Sequence, residues 1–129
     1  MAPPQWNVMV RTCPSRTSLA RIANKWTAMI VIALSGGPMR FGEVRQAVDG
    51  ISGKVLADTL RELERDGIVS RTSFAQMPPR VDYALTALGD SLREPLTALG
   101  RWAESHIEEV ERARADYDRS ILHHVSLSE

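Results

Sequence analysis

A chain of 129 residues, 43% hydrophobic and 25% charged, holds enough material for one globular domain with its own core. Its longest apolar run, 28–34, is too short to span a bilayer, and MAPPQWNVMVR at the start lacks the pattern of a secretory signal, so a cytoplasmic protein with no membrane partner is expected. The single cysteine, Cys13, excludes an intrachain disulfide and a zinc site built from several thiolates.

A formal net charge of zero argues against nucleic acid, but the charges are not evenly spread. Through Thr86 there are 11 Lys or Arg against 7 Asp or Glu; from Ala87 onward there are 5 against 9. The first part carries the positive excess and the last part the negative one.

Cys13-Pro14-Ser15 reads as a helix start, with Pro14 at the first helical position, where its missing N–H costs nothing. This helix runs to about Ala23, with Leu19, Ile22 and Ala23 on its inner face. A second begins near Lys25. Trp26, Met29, Ile30, Ala33 and Leu34 recur along it with helical spacing, and Gly36-Gly37-Pro38 stops it. Met39-Arg40 is a short extended connector. Residues 41–48 form a short helix with Phe41, Val44 and Val48 on one side.

Asp49-Gly50 makes a turn, Ile51 is a buried plug, and Ser52 caps a helix that runs to about Asp66 and stops at Gly67. Leu56, Leu60 and Leu63 form its apolar stripe. At 100° per residue, Lys54, Asp58, Arg61 and Arg65 lie opposite, flanked by Val55 and Thr59. Residues 68–75 and 81–85 are strands, joined by 76–80, whose two prolines cannot enter a ladder. Thr86 then caps a long helix carrying Leu88, Leu92, Leu96, Leu99, Ala103 and Val110, kinked at Pro95. From about Tyr117 the pattern fades and the tail frays.

This order predicts an α+β, mostly α fold: a winged helix-turn-helix, which places one helix in a DNA major groove. The whole chain, 1–129, reads as a single domain, with a DNA-binding core at 12–86, a long C-terminal helix at 87–118 and a tail at 119–129.

Within the core, Ser52, Gly53, Lys54, Val55, Asp58 and Thr59 are placed for base edges, followed by Arg61. Lys54 suits guanine acceptors and Val55 a thymine methyl. Asp58 is repelled by phosphates unless it accepts from a cytosine amino group or pairs with Lys54 or Arg61. Arg80, beside Pro78-Pro79, suits a minor groove, and Arg40 and Arg71 suit phosphates. The plain alternative for all of these is a solvated helix face and a surface turn.

At the cap of the first helix, the macrodipole and the flanking Arg11 and Arg16 favour a Cys13 thiolate; the alternative is a small buried hydrophobe. Trp26 and Trp102 read as core or interface. His106, His123 and His124 lack partners for a metal. No catalytic constellation or cofactor motif appears, so neither an enzyme nor a cofactor is expected.

The chain resembles the HxlR family of bacterial transcription regulators from Cys13 to about Trp102. The resemblance rests on Cys13-Pro14, Lys25-Trp26, Gly37-Pro38, Arg40-Phe41-x-Glu43-Val44, Gly50-Ile51-Ser52, LADTLRELERDG, Pro78-Pro79-Arg80-Val81-x-Tyr83 and Leu85-Thr86-x-Leu88-Gly89. It implies a homodimer, joined through the first and last helices, that binds an inverted-repeat operator in double-stranded DNA, most often as a repressor. It also implies that Cys13 matches the cysteine through which some members sense an electrophile or oxidant. Gly53-Lys54-Val55 lies where the family varies, and the acidic extension beyond Trp102 is longer than its core requires. A protein–protein assembly module, a thiol enzyme and a small-ligand sensor are the competing readings.

Overall fold

The computed structural model describes residues 5–128. Among them are six helices and three strands, and the chain divides into two compact units with the boundary after Leu96. The first unit holds α1 (Pro14–Ile22), α2 (Lys25–Leu34), β1 (Met39–Arg40), α3 (Phe41–Ala47), α4 (Gly53–Arg65), β2 (Val69–Phe74), β3 (Arg80–Leu85), α5 (Ala87–Asp90) and the first turn of α6 (Arg93–Ser128). The remainder of α6 forms the second. Among the described residues no helix is long and apolar enough to cross a membrane.

The leucine stripe of α4 does what its spacing predicts. Leu56, Leu60 and Leu63 are buried and meet Ile30, Val31, Leu34, Val44, Val48, Ile51, Ile68, Val69 and Leu96 in one core. Leu56 stands three to four residues from its neighbours along one face, so each turn of α4 drives one side chain inward. Asn24 starts α2 by accepting from the Trp26 amide at 2.9 Å. The buried face of α2 is Thr27, Ile30, Val31 and Leu34; Met29, expected inside, stays exposed. Because KWTAMIVIAL is apolar nearly all round, its sequence could not phase that face. Nothing in α1 is buried: Ile22 packs against the core, whereas Leu19 and Ala23, placed on the inner face by spacing, are exposed.

Met39-Arg40 is more than a connector. It pairs antiparallel with β3, Met39 opposite Tyr83 and Arg40 opposite Asp82, so the expected two-stranded hairpin is a three-stranded sheet in the order β1-β3-β2. Two residues are too few to display alternation. In the hairpin itself Val69 faces Leu85 and Phe74 faces Arg80. The wing tip is therefore 75–79, and Arg80 lies on a strand.

Helix α4 ends in a Schellman motif: Ile68 N–H donates to Leu63 C=O at 2.9 Å and Gly67 N–H to Glu64 C=O at 3.1 Å, with Gly67 at φ +77°. The long helix expected after Thr86 is broken. Thr86 caps the single turn α5, its hydroxyl accepting from Gly89 N–H at 3.0 Å, and α6 restarts at Arg93. Pro95 thus falls in the first turn of α6, where its N–H would have had no partner, and not mid-helix where it would kink. Residues 119–128, expected to fray, continue α6; an ion pair between Arg119 and Asp116 braces one turn.

Candidate nucleic-acid interface

Helices α3 and α4 flank a tight turn in which Gly50 adopts φ +88° and Ile51 is buried. Glu43 Oε1 accepts from Arg40 N–H at 2.9 Å, fixing the start of α3. Ser52 fixes the start of α4, its Oγ accepting from Val55 N–H at 3.1 Å. Ser52→Ala removes that acceptor and is expected to cost about 1 kcal/mol, read as a lowered thermal midpoint.

The outward side of α4 divides into two strips. Lys54, Asp58 and Arg61 form one. Lys54 Nζ lies 3.1 Å from Asp58 Oδ2 and Arg61 Nη1 lies 3.3 Å from Asp58 Oδ1, so one carboxylate holds both cations. The hydrogen bond from Lys54 is the largest cause that holds Asp58 below the usual carboxylate range, followed by the Lys54 and Arg61 charges. Of the two escapes from phosphate repulsion, the free protein adopts the ion pair. Val55 and Thr59 belong to the second strip, where with Thr17 and Ala20 of α1 they line a groove of about 410 Å³. The Thr59 hydroxyl is engaged, donating to Val55 C=O at 2.7 Å.

Gly53 sits beneath Arg45 of α3: a Cβ there would stand 3.3 Å from Arg45 Nη1. Arg45 therefore brings a further cation to the N-terminal end of α4. The apolar spacing of α3 carries no signal for it, because its place depends on how α3 packs on α4.

On the sheet, the three expected DNA-contacting arginines do not share one surface. Arg40, Asp82 and Arg80 project to one face, Arg71 and Tyr83 to the other. Arg80 is no free fingertip: its Nε and Nη2 meet Asp82 Oδ1 and Oδ2 at 2.9 and 3.0 Å, and its guanidinium lies 5.3 Å above the Phe74 ring. The Arg80 hydrogen bonds are the main cause that holds Asp82 below the ordinary carboxylate range. Arg71, with Arg61, Glu64 and Tyr83, lines a groove of about 430 Å³ between α4 and the sheet.

Cys13 occupies the cap position of α1 and is half-buried. Its thiol is held below its ordinary value chiefly by the Ser15 hydroxyl, 2.9 Å away, then by the Asn7 amide donating at 3.3 Å; the Ser15 and Arg16 amides add less. The charges of the flanking arginines are not among the causes. Arg16 reaches instead to the Met9 carbonyl at 3.5 Å.

Trp26 packs against the core with Lys25 4.6 Å above its ring. In the second unit Trp102 stacks on His106, centroids 4.7 Å apart, and both lie along a helix whose Leu99, Ile107, Tyr117 and Ile121 are exposed. Among the described residues no three His, Cys, Asp or Glu side chains gather as metal ligands.

The family described as HxlR-like helix-turn-helix matches residues 21–111. The chain is similar to a protein of Escherichia coli strain K12 named as the HTH-type transcriptional regulator YtfH, with 38% identity over 104 residues, 81% of this chain and 82% of that protein. It is also similar to the solved structure of ytfH from Salmonella typhimurium, with a TM-score of 0.79 at 36% identity, covering 85% of this chain and 98% of that one. The redox regulator HypR in its reduced form gives 0.70 at 35% identity, covering 77% and 98%.

Proposed function

We propose that this chain, which belongs to the HxlR-like helix-turn-helix family, is a cytoplasmic transcriptional repressor that reads an inverted-repeat operator as a homodimer. The observation that carries this reading is α4 itself. It is capped at Ser52, seated on Leu56, Leu60 and Leu63, and turns Lys54, Asp58 and Arg61 outward. Ser52, Gly53, Lys54 and Val55 enter the major groove, with Asp58, Thr59 and Arg61 behind them, and Arg40, Arg71 and Arg80 supply backbone or minor-groove contacts. Arg80 keeps N–H groups beyond the two that Asp82 occupies and can offer them to minor-groove acceptors without leaving its pair, whereas a phosphate competes with Asp82 for the charge.

Dimerisation through the first and last helices is supported by their exposed apolar side chains, Leu19 on α1 and Leu99, Trp102 and Ile107 on α6. Two half-sites about one helical turn apart would then suit the two copies of α4. Fluorescence anisotropy with DNA from upstream of its own coding sequence tests the assignment. Affinity is expected to fall linearly on a log–log salt plot, with a slope of about −0.9 for each phosphate contact. No affinity at low salt would leave an assembly module as the better reading.

A thiol-based response is favoured by the hydrogen bonds that stabilise the Cys13 thiolate and by the similarity to HypR. A thiolate attacks an electrophile or oxidant, and an adduct or inter-subunit disulfide at the start of α1 would shift the two copies of α4 against the operator. Diamide or a quinone is expected to release DNA from the natural chain and to leave Cys13→Ser bound. Equal release from both would end this reading. Because the folded thiol titrates below its ordinary value, its alkylation is expected to begin at lower pH than that of a free thiol, measured as a rate against pH.

A further inference from the structure

Three of the five cations expected to meet DNA are already held by carboxylates within the chain. Asp58 uses one oxygen for Lys54 and the other for Arg61, at 3.1 and 3.3 Å. Asp82 uses both oxygens for Arg80, at 2.9 and 3.0 Å, with the Phe74 ring on the guanidinium. Asp82 is well shielded, its side chain only 14% exposed, so this pair is screened less than one in open solvent. Among the described residues Arg40 and Arg71 make no ion pair.

We propose that Asp58 and Asp82 are built-in phosphate substitutes that suppress binding to arbitrary DNA and so determine specificity. The proposal rests on the DNA-reading assignment above. Any duplex offers phosphates, and a free cation gains from each one by releasing a counterion. Here that gain is reduced in advance: Lys54, Arg61 and Asp58 together carry one positive charge, and Arg80 with Asp82 carries none. Non-specific DNA must displace a carboxylate, then face it unpaired beside the phosphates. A base edge that donates to Asp58, such as a cytosine amino group, removes that penalty. Discrimination thus comes from a repulsive group against the wrong partner as much as from attraction to the right one.

The test uses the full chain, a random-sequence duplex two helical turns long, and a duplex enriched by the natural chain from a random pool. Anisotropy titrations of the natural chain, Asp58→Asn and Asp82→Asn run between about 50 and 200 mM salt. Asp90→Asn is the control, because Asp90 pairs with Arg93 at 3.4 Å outside the reading elements and loses the same charge. Asp58→Asn is expected to steepen the random-duplex slope by about 0.9 for each cation released and, at about 0.1 M salt, to tighten binding about eight-fold per cation. The enriched duplex should gain less, so the ratio between the two falls. Asp82→Asn should act in the same direction for one cation; if its thermal midpoint drops, Asp58→Asn carries the test alone, since Asp58 lies on an outward helix face. An unchanged slope, weaker binding to random DNA, or equal steepening by Asp90→Asn would overturn the proposal while leaving DNA binding intact. If the natural chain binds neither duplex at low salt, the DNA-reading assignment fails and this proposal falls with it.

Discussion

Gly89→Ala is expected to lower the thermal midpoint of the chain by about 12–24 °C. The reason is backbone against backbone. The single turn α5 lies on the chain just after α4, and a Cβ on Gly89 would overlap the Ile68 carbonyl oxygen and stand 3.1 Å from its carbon. Flexible side chains can yield to such a methyl; a carbonyl fixed by two hydrogen bonds cannot. Ile68 C=O accepts from the Thr86 amide at 3.0 Å and from its hydroxyl at 3.1 Å, while Ile68 N–H closes the α4 cap. Relief requires α5 to move away, which breaks the Thr86 contacts and loosens α5 from Ile68 and β3. Inserting one methyl into so tight a site costs about 3 kcal/mol. Each kcal/mol shifts a domain the size of the first unit by about 4–8 °C. Gly36→Ala is the comparison: a Cβ there meets nothing within 4 Å, and melting should be nearly unchanged. Circular dichroism melts of the two variants check this; equal midpoints would mean that α5 has slack the static packing hides.

What the sequence made legible follows from how much each segment repeats. Helix α4 offered thirteen residues with leucines at regular spacing, a serine before and a glycine after, and its position and buried face were readable to within a residue. Strand β1 offered two residues and no period, so its pairing with β3 was invisible. The face of α2 was lost for the opposite reason, an excess of apolar residues. Pro95 suggests a kink by sequence alone, whereas the break falls at Ser91 and Leu92, beside the turn that brings Gly89 against Ile68. The same limit applies to charges. That Asp58 could pair with Lys54 or Arg61 is helical arithmetic. That Arg80 is committed to Asp82 depends on strand geometry and on Phe74 closing over it, and Arg45 above Gly53 depends on the packing of α3 against α4.

On the enriched duplex, where a base edge occupies Asp58 and frees both cations, Lys54→Ala with Arg61→Ala is expected to weaken binding by at least about sixty-fold at about 0.1 M salt and to flatten the log–log salt slope by about 1.8, two contacts at about 0.9 each. Both side chains are largely exposed, so the melting profile should barely change and the loss can be assigned to binding. Asp58 makes the double substitution worse than two independent losses. Stripped of both partners, its carboxylate confronts phosphates with its full charge, and its titration returns toward the ordinary carboxylate range. Adding Asp58→Asn to the double variant should therefore recover part of the affinity without restoring the slope, because no cation returns. Val55→Ala gives the complementary signature. It removes an apolar contact to a base and should reduce the preference for an enriched duplex while leaving the salt slope as it was. If the double variant instead lost affinity at constant slope, Lys54 and Arg61 would be holding Asp58 and α4 in place and not touching the DNA backbone. Reading the slope and the sequence preference together separates charge that binds from geometry that selects, and α4 places the two on adjacent strips of one helix.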